Sequence, residues 1–162
     1  MLCCRTSVSA AQPQSLNDKQ QTPLIRFFNE DVDYKLPQKL AAKKWLTTQA
    51  KAEGHDMGDL NYIFCSDEYV LQVNREHLDH DYYTDIITFD NREFEDDPIE
   101  GDIFISVDRV ADNAAQLGVS PEQEMRRVLA HGLLHLCGYS DKTEADQAAM
   151  RGKEDEWLAA FC

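Results

Sequence analysis

Apolar positions along the chain change period several times, and each change marks an element. Leu24-Ile25-Arg26-Phe27-Phe28 is a short apolar run that reads as a strand. Leu40, Ala41, Lys44 and Trp45 begin an amphipathic helix from near Pro37 to about Glu53, stopped by Gly54. Asp59 to Cys65 alternates as a second strand, and Ser66-Asp67-Glu68 caps a helix through Tyr69, Val70 and Val73 that ends in the polar loop His77–Asp81. Asp85 to Phe89 predicts a third strand, Asn91 to Pro98 an acidic loop, and Gly101 to Ser106 a fourth strand, followed by a helix through Val110 and Leu117. Met125, Val128, Leu129, Gly132, Leu133 and Leu136 recur at i, i+3, i+4, i+7, i+8 and i+11, the stripe of a helix with one face in a core. Thr143 onward predicts a last helix ending at Trp157-Leu158.

Short strands alternating with helices point to an α/β (α+β) domain, a small sheet covered by helices. No internal repeat is present. Residues 1–22, rich in Ser, Gln, Asn and Thr and without periodicity, read as a disordered N-terminal extension. Residues 23–162 form the single domain.

Composition narrows the class. The 43% hydrophobic content is that of a globular chain, and no apolar run approaches a membrane span, so no membrane partner is expected. The first residues lack the continuous apolar stretch of a secretory signal. Five cysteines, an odd number without a C-x-x-C pair, argue against a disulfide framework and for a cytoplasmic location. The net charge of −14 argues against a simple nucleic-acid binder, because phosphate contacts need local Lys and Arg. Lys39, Lys43, Lys44 and Lys51 form one candidate basic ridge and Arg126-Arg127 another, each more simply a solvated helix face. Nothing in the sequence sets the oligomeric state.

The chemistry concentrates in His131-Gly132-Leu133-Leu134-His135-Leu136-Cys137-Gly138-Tyr139-Ser140-Asp141. On a helix the two imidazoles lie one turn apart on the same face, the spacing by which one rigid element gives two nitrogens to a metal. They flank the apolar stripe by about 100°. Ser120-Pro121-Glu122-Gln123 supplies an N-cap and a first-turn proline, and Gly138 a left-handed stop, after which Asp141 can return beneath the histidines. A bare H-x-x-x-H is equally well two histidines with ordinary hydrogen bonds; the glycine stop, the following carboxylate and the one-sided apolar support favour a metal. Three protein ligands leave a position for water, as in catalytic sites, and zinc suits two histidines and an aspartate, with nickel and manganese as alternatives. Glu124, on the same helix flank, is a weak candidate base; otherwise the catalytic residues are unknown. His55, His77 and His80 fall in loops, Cys137 reads as a core thiol, and Trp45 and Trp157 as core aromatics.

The stretch resembles the YbeY family of bacterial rRNA maturation factors and metal-dependent endoribonucleases, whose signature is H-G-x-L-H-L-x-G-Y-D-H. His131, Gly132, Leu134, His135, Leu136, Gly138 and Tyr139 match it in register. Ser140 stands where the family usually has aspartate, and Asp141 where it has its third histidine ligand. Asn74-Arg75, Thr84 to Phe89 and Gly101 to Ser106 look like two further family blocks, with Leu78 in place of an arginine thought to contact RNA and Tyr83 in place of a proline. Arg75, one turn earlier, is a candidate for the lost charge or a plain surface arginine.

Over residues 24–160 the resemblance implies a four-stranded mixed sheet with the metal helix packed centrally. It implies a single-strand-specific endoribonuclease with one zinc per chain at His131, His135 and Asp141. The expected role is 16S rRNA 3′-end maturation and ribosome quality control, with ribosomal RNA and the small ribosomal subunit as partners. Asp141 could instead cap the next helix or accept a bond from a histidine. Rival functions are a metallopeptidase, which lacks the H-E-x-x-H glutamate because Gly132 occupies that position, and an assembly factor with a structural metal.

Overall fold

The computed structural model describes residues 24–161, so the expected extension over residues 1–22 lies outside the described residues. The chain runs β1 (Ile25–Asn29), α1 (Lys39–Ala52), β2 (Met57–Cys65), α2 (Asp67–Leu78), β3 (Ile86–Asp90), β4 (Ile99–Ser106), α3 (Val107–Leu117), α4 (Pro121–Leu136) and α5 (Glu144–Ala159). The four strands form one sheet in the order β1-β2-β4-β3. β1, β2 and β4 are parallel, and β3 runs antiparallel to β4 at the edge. This is the expected mixed sheet.

Alternation along the strands assigns the two faces. Leu60, Tyr62 and Phe64 of β2 and Ile99, Ile103 and Ile105 of β4 enter the larger core with Leu46, Leu129, Leu133 and Trp157. The intervening Ile63 and Cys65 join Val70, Val73 and Ile87 in a smaller cluster beneath α2. Side chains two apart share a face, so this is what the period of a strand requires. Each fully buried leucine or isoleucine contributes about 1.5–3 kcal/mol.

α4 lies centrally, against β3 and β4 and between α1, α3 and α5. Gly132 permits the close approach: a Cβ there would stand 2.9 Å from Ile86 Cδ1 and 3.0–3.1 Å from two carbons of Ile103. Tyr62, fully buried on β2, donates its hydroxyl to Leu129 O at 2.9 Å and ties the helix to the sheet.

Element boundaries differ from the sequence reading where a partner strand decides them. β2 begins at Met57 and β4 at Ile99 because these two residues pair, across a register irregularity that follows Met57. β3 is offset by one residue, since Asp90 pairs with Gly101. α2 continues through His77 and Leu78 to the left-handed Asp79, so His77 is helical rather than in the loop.

Candidate metal centre

α4 starts and stops as its sequence dictates. Ser120 Oγ accepts from Gln123 N at 3.1 Å and Pro121 occupies the first turn. At the other end Gly138 adopts φ 98°, Gly138 N donates to His135 O and Tyr139 N to Leu134 O. These two bonds are the Schellman closure that satisfies the last carbonyls. Leu136 O is met from outside by Arg92, at 2.8 Å. The helix is therefore fixed at the end where its histidines stand.

His131 and His135 present their Nε2 atoms to each other at 3.0 Å, and each lies 3.5 Å from Asp141 Oδ2. These are the three residues among the described ones whose donor atoms group as a metal site does. Their partners fix the tautomers. His135 Nδ1 lies 3.0 Å from Tyr139 O, and a carbonyl can only accept, so that nitrogen carries the proton. His131 Nδ1 lies 2.7 Å from Glu154 Oε1, and an ionised carboxylate likewise accepts. Both Nε2 atoms of the neutral rings are thus bare lone pairs facing one another and a carboxylate oxygen. Three acceptors with no hydrogen among them repel, and a cation among them removes that cost. Donor atoms about 2.0–2.2 Å from a tetrahedral ion stand about 3.3–3.6 Å apart, close to the three separations here. The residues fit a metal.

The surroundings shift the two rings in opposite directions. Burial depresses the His131 pKa, but Glu154 outweighs it and the net shift is upward. Burial and the neighbouring His131 both lower His135, because two adjacent imidazoles resist a second proton. Burial raises the Glu154 carboxyl, yet its bonds from His131 and Arg127 prevail and hold it below the ordinary range. Glu154 is 5% exposed and also meets Arg151 at 3.3 Å.

Asp141 does not cap the next helix. Thr143 does so, with its Oγ1 accepting from Asp146 N at 3.1 Å. Gln147 Nε2 instead holds the Asp141 carbonyl at 3.1 Å, leaving the carboxylate to face the histidines.

Two clefts meet at Asp85, His131 and Asp141. One, about 390 Å³, is polar and lined by Asn113, Gln116, Glu124, Arg127, Arg151 and Glu154. The other, about 430 Å³, follows β3 and includes Leu78, His80, Tyr82, Thr88 and His135. Glu124 is buried with Oε2 unpartnered, and burial raises its pKa despite Arg127. Arg75 does not line either cleft; it pairs with Asp81 at 2.5 Å on an exposed part of α2. His55 bonds Cys137 O at 3.1 Å and belongs to the helix end. Burial pushes the Cys137 thiol up to about 12, so it is inert. Trp45 and Trp157 are core aromatics, joined by a 2.7 Å bond from Trp45 Nε1 to Trp157 O.

The arginines of the Arg126-Arg127 patch are already engaged. Arg127 pairs with Glu154 and Asp155, and Arg126 bonds Gln38 and lies over the Phe161 ring. Sequence reasoning missed Glu154 and Asp85. Glu154 had a signal, a carboxylate between Met150 and Trp157 on the buried stripe of α5; Asp85, just ahead of β3, had none.

The family model described as endoribonuclease YbeY matches residues 25–162. A Cytophaga hutchinsonii protein named endoribonuclease YbeY is 57% identical over 87% of this chain and 96% of its own. A Flavobacterium johnsoniae protein of the same name is 49% identical over 83% and 95%. Among solved structures, the solution structure of a Thermotoga maritima protein superposes with a TM-score of 0.60 at 28% identity, covering 83% of this chain and 87% of that one.

Proposed function

Because this chain belongs to the family of the endoribonuclease YbeY, we propose that it is a zinc-dependent endoribonuclease that cuts single-stranded RNA at His131, His135 and Asp141. The role we infer is 16S rRNA 3′-end maturation and ribosome quality control in the cytoplasm, with ribosomal RNA and the small ribosomal subunit as partners. The convergence of two fixed Nε2 lone pairs and the Asp141 carboxylate carries the reading.

Bound there, zinc supplies Lewis acidity and a water acidified toward neutrality. The chain supplies orientation, charge and a proton acceptor. Glu154 and the Tyr139 carbonyl hold the two rings, and ring orientation sets ligand strength. Asp141 adds negative charge to the centre. We assign proton transfer to Glu124, which lines the polar cleft together with His131 and Asp141 and whose carboxyl burial pushes above its ordinary value. The two clefts give a strand passage on either side of the ligands.

The metallopeptidase reading loses support from the setting of Gly132. A side chain at 132 would run into Ile86 and Ile103 of the sheet, so that position does not offer a base to the cleft. The assembly-factor reading is separated by experiment. Zinc-loaded protein is expected to cut a single-stranded RNA oligonucleotide, spare its duplex, and lose activity on chelation and in His135→Ala. Small-subunit binding that survives chelation, with no cleavage by the loaded protein, would overturn the enzyme reading.

A further inference from the structure

The cleft along β3 has no Lys or Arg among its described lining residues; its charged side chains are Asp85, Asp90 and Asp141, with His80, His131 and His135. Phosphate groups are gripped by cations, so a strand lying here gains little from its backbone. The cleft offers flat aromatic surface instead. Tyr82 is 56% exposed and stacks on His80, with ring centroids 5.2 Å apart and planes at 24°. The Tyr82 hydroxyl and His80 Nδ1 are hydrogen-bonded at 3.1 Å, which locks the two rings together.

The pair is also held from below. Asn74 is 1% exposed, and its Nδ2 donates to Tyr82 O at 2.9 Å while its backbone carbonyl accepts from His80 N at 3.2 Å. One buried residue on α2 therefore fixes the backbone of both aromatic positions. Leu78, 40% exposed, extends the apolar surface at the helix end. A large aromatic left open is costly to solubility, yet here it is pre-ordered in the same cleft as the three metal ligands.

We propose that the His80–Tyr82 pair is a stacking platform for one base of the single-stranded RNA next to the metal centre, so that this arm grips the base and not the phosphate. The inference rests on the RNA-cleaving function proposed above. Base–aromatic stacking tolerates any sequence, because every base has a flat face. It also resolves how a chain with a net charge of −14 holds an anionic strand.

The test pairs Tyr82→Ala with single abasic substitutions in an RNA oligonucleotide, placed in turn at each position flanking the cleavage point. Tyr82→Ala should lower kcat/KM on intact RNA by about 5- to 150-fold, through KM rather than kcat, and Tyr82→Trp should restore it. At one position the abasic nucleotide should cost the parent the same factor and cost Tyr82→Ala nothing more. An unchanged KM in Tyr82→Ala, or penalties that simply add at every position, would overturn the platform. If the parent cleaves RNA and the variant cleaves it equally well, the platform alone falls. If the parent cleaves no RNA, the function falls with it.

Discussion

Glu154 sits where a helix normally places an apolar residue, between Met150 and Trp157, and its burial is tolerated because three cationic or donor groups surround it. An unpaired buried charge is expensive, whereas a carboxylate with His131, Arg127 and Arg151 around it is compensated. Its work is to hold His131 Nδ1–H and so to aim Nε2. Glu154→Gln keeps the shape but removes the charge. Metal affinity should then fall about 10- to 100-fold, measured by competition with a chelator, with the helical spectrum retained. Unchanged affinity would mean that the 2.7 Å contact is incidental. The histidines, Gly138 and Asp141 were legible in the sequence because one helix turn and one reversal bring them together. Glu154 lies on another helix, and only the fold joins it to His131.

At the scale of elements, the loop that carries Asp141 is braced by the end of α1. Glu53, the residue closing that helix, accepts from the Tyr139 hydroxyl at 2.8 Å and from Lys153 of α5 at 2.9 Å. Burial pushes the Glu53 carboxyl up, but the Lys153 and Tyr139 bonds outweigh it and hold it below its ordinary value of 4.5. A carboxyl with a depressed folded pKa stabilises the fold fully above its unfolded value and loses that contribution as pH falls through the folded one. Glu53→Gln should therefore cost about 1–2 kcal/mol near pH 7, and the gap to the parent should narrow below about pH 4. Urea midpoints across that range check it; a gap that widens on acidification would contradict the sign. The helices were readable because caps and stripes are local, as at Ser120 and Gly138. The starts of β2 and β4 were not, because Met57 and Ile99 become strand residues only by pairing with each other.

The whole molecule places its chemistry where α4, the edge strand β3 and the loop into α5 meet, with the clefts opening on either side. The α/β class, the mixed sheet and the central helix followed from alternating patterns and the resemblance. The arginine patch did not survive folding as a free surface, since Arg127 is committed to Glu154 and Asp155; charge counted along a chain does not reveal which charges fold inward. No described helix is long and apolar enough to cross a membrane. Everything in the proposed chemistry depends on Asp141 completing the metal centre beside His131 and His135. Zinc bound per chain, measured by elemental analysis after equilibration with a competing chelator, tests it most directly. The parent and Asp141→His should retain zinc under conditions that strip Asp141→Ala, and full occupancy in the alanine variant would contradict the account.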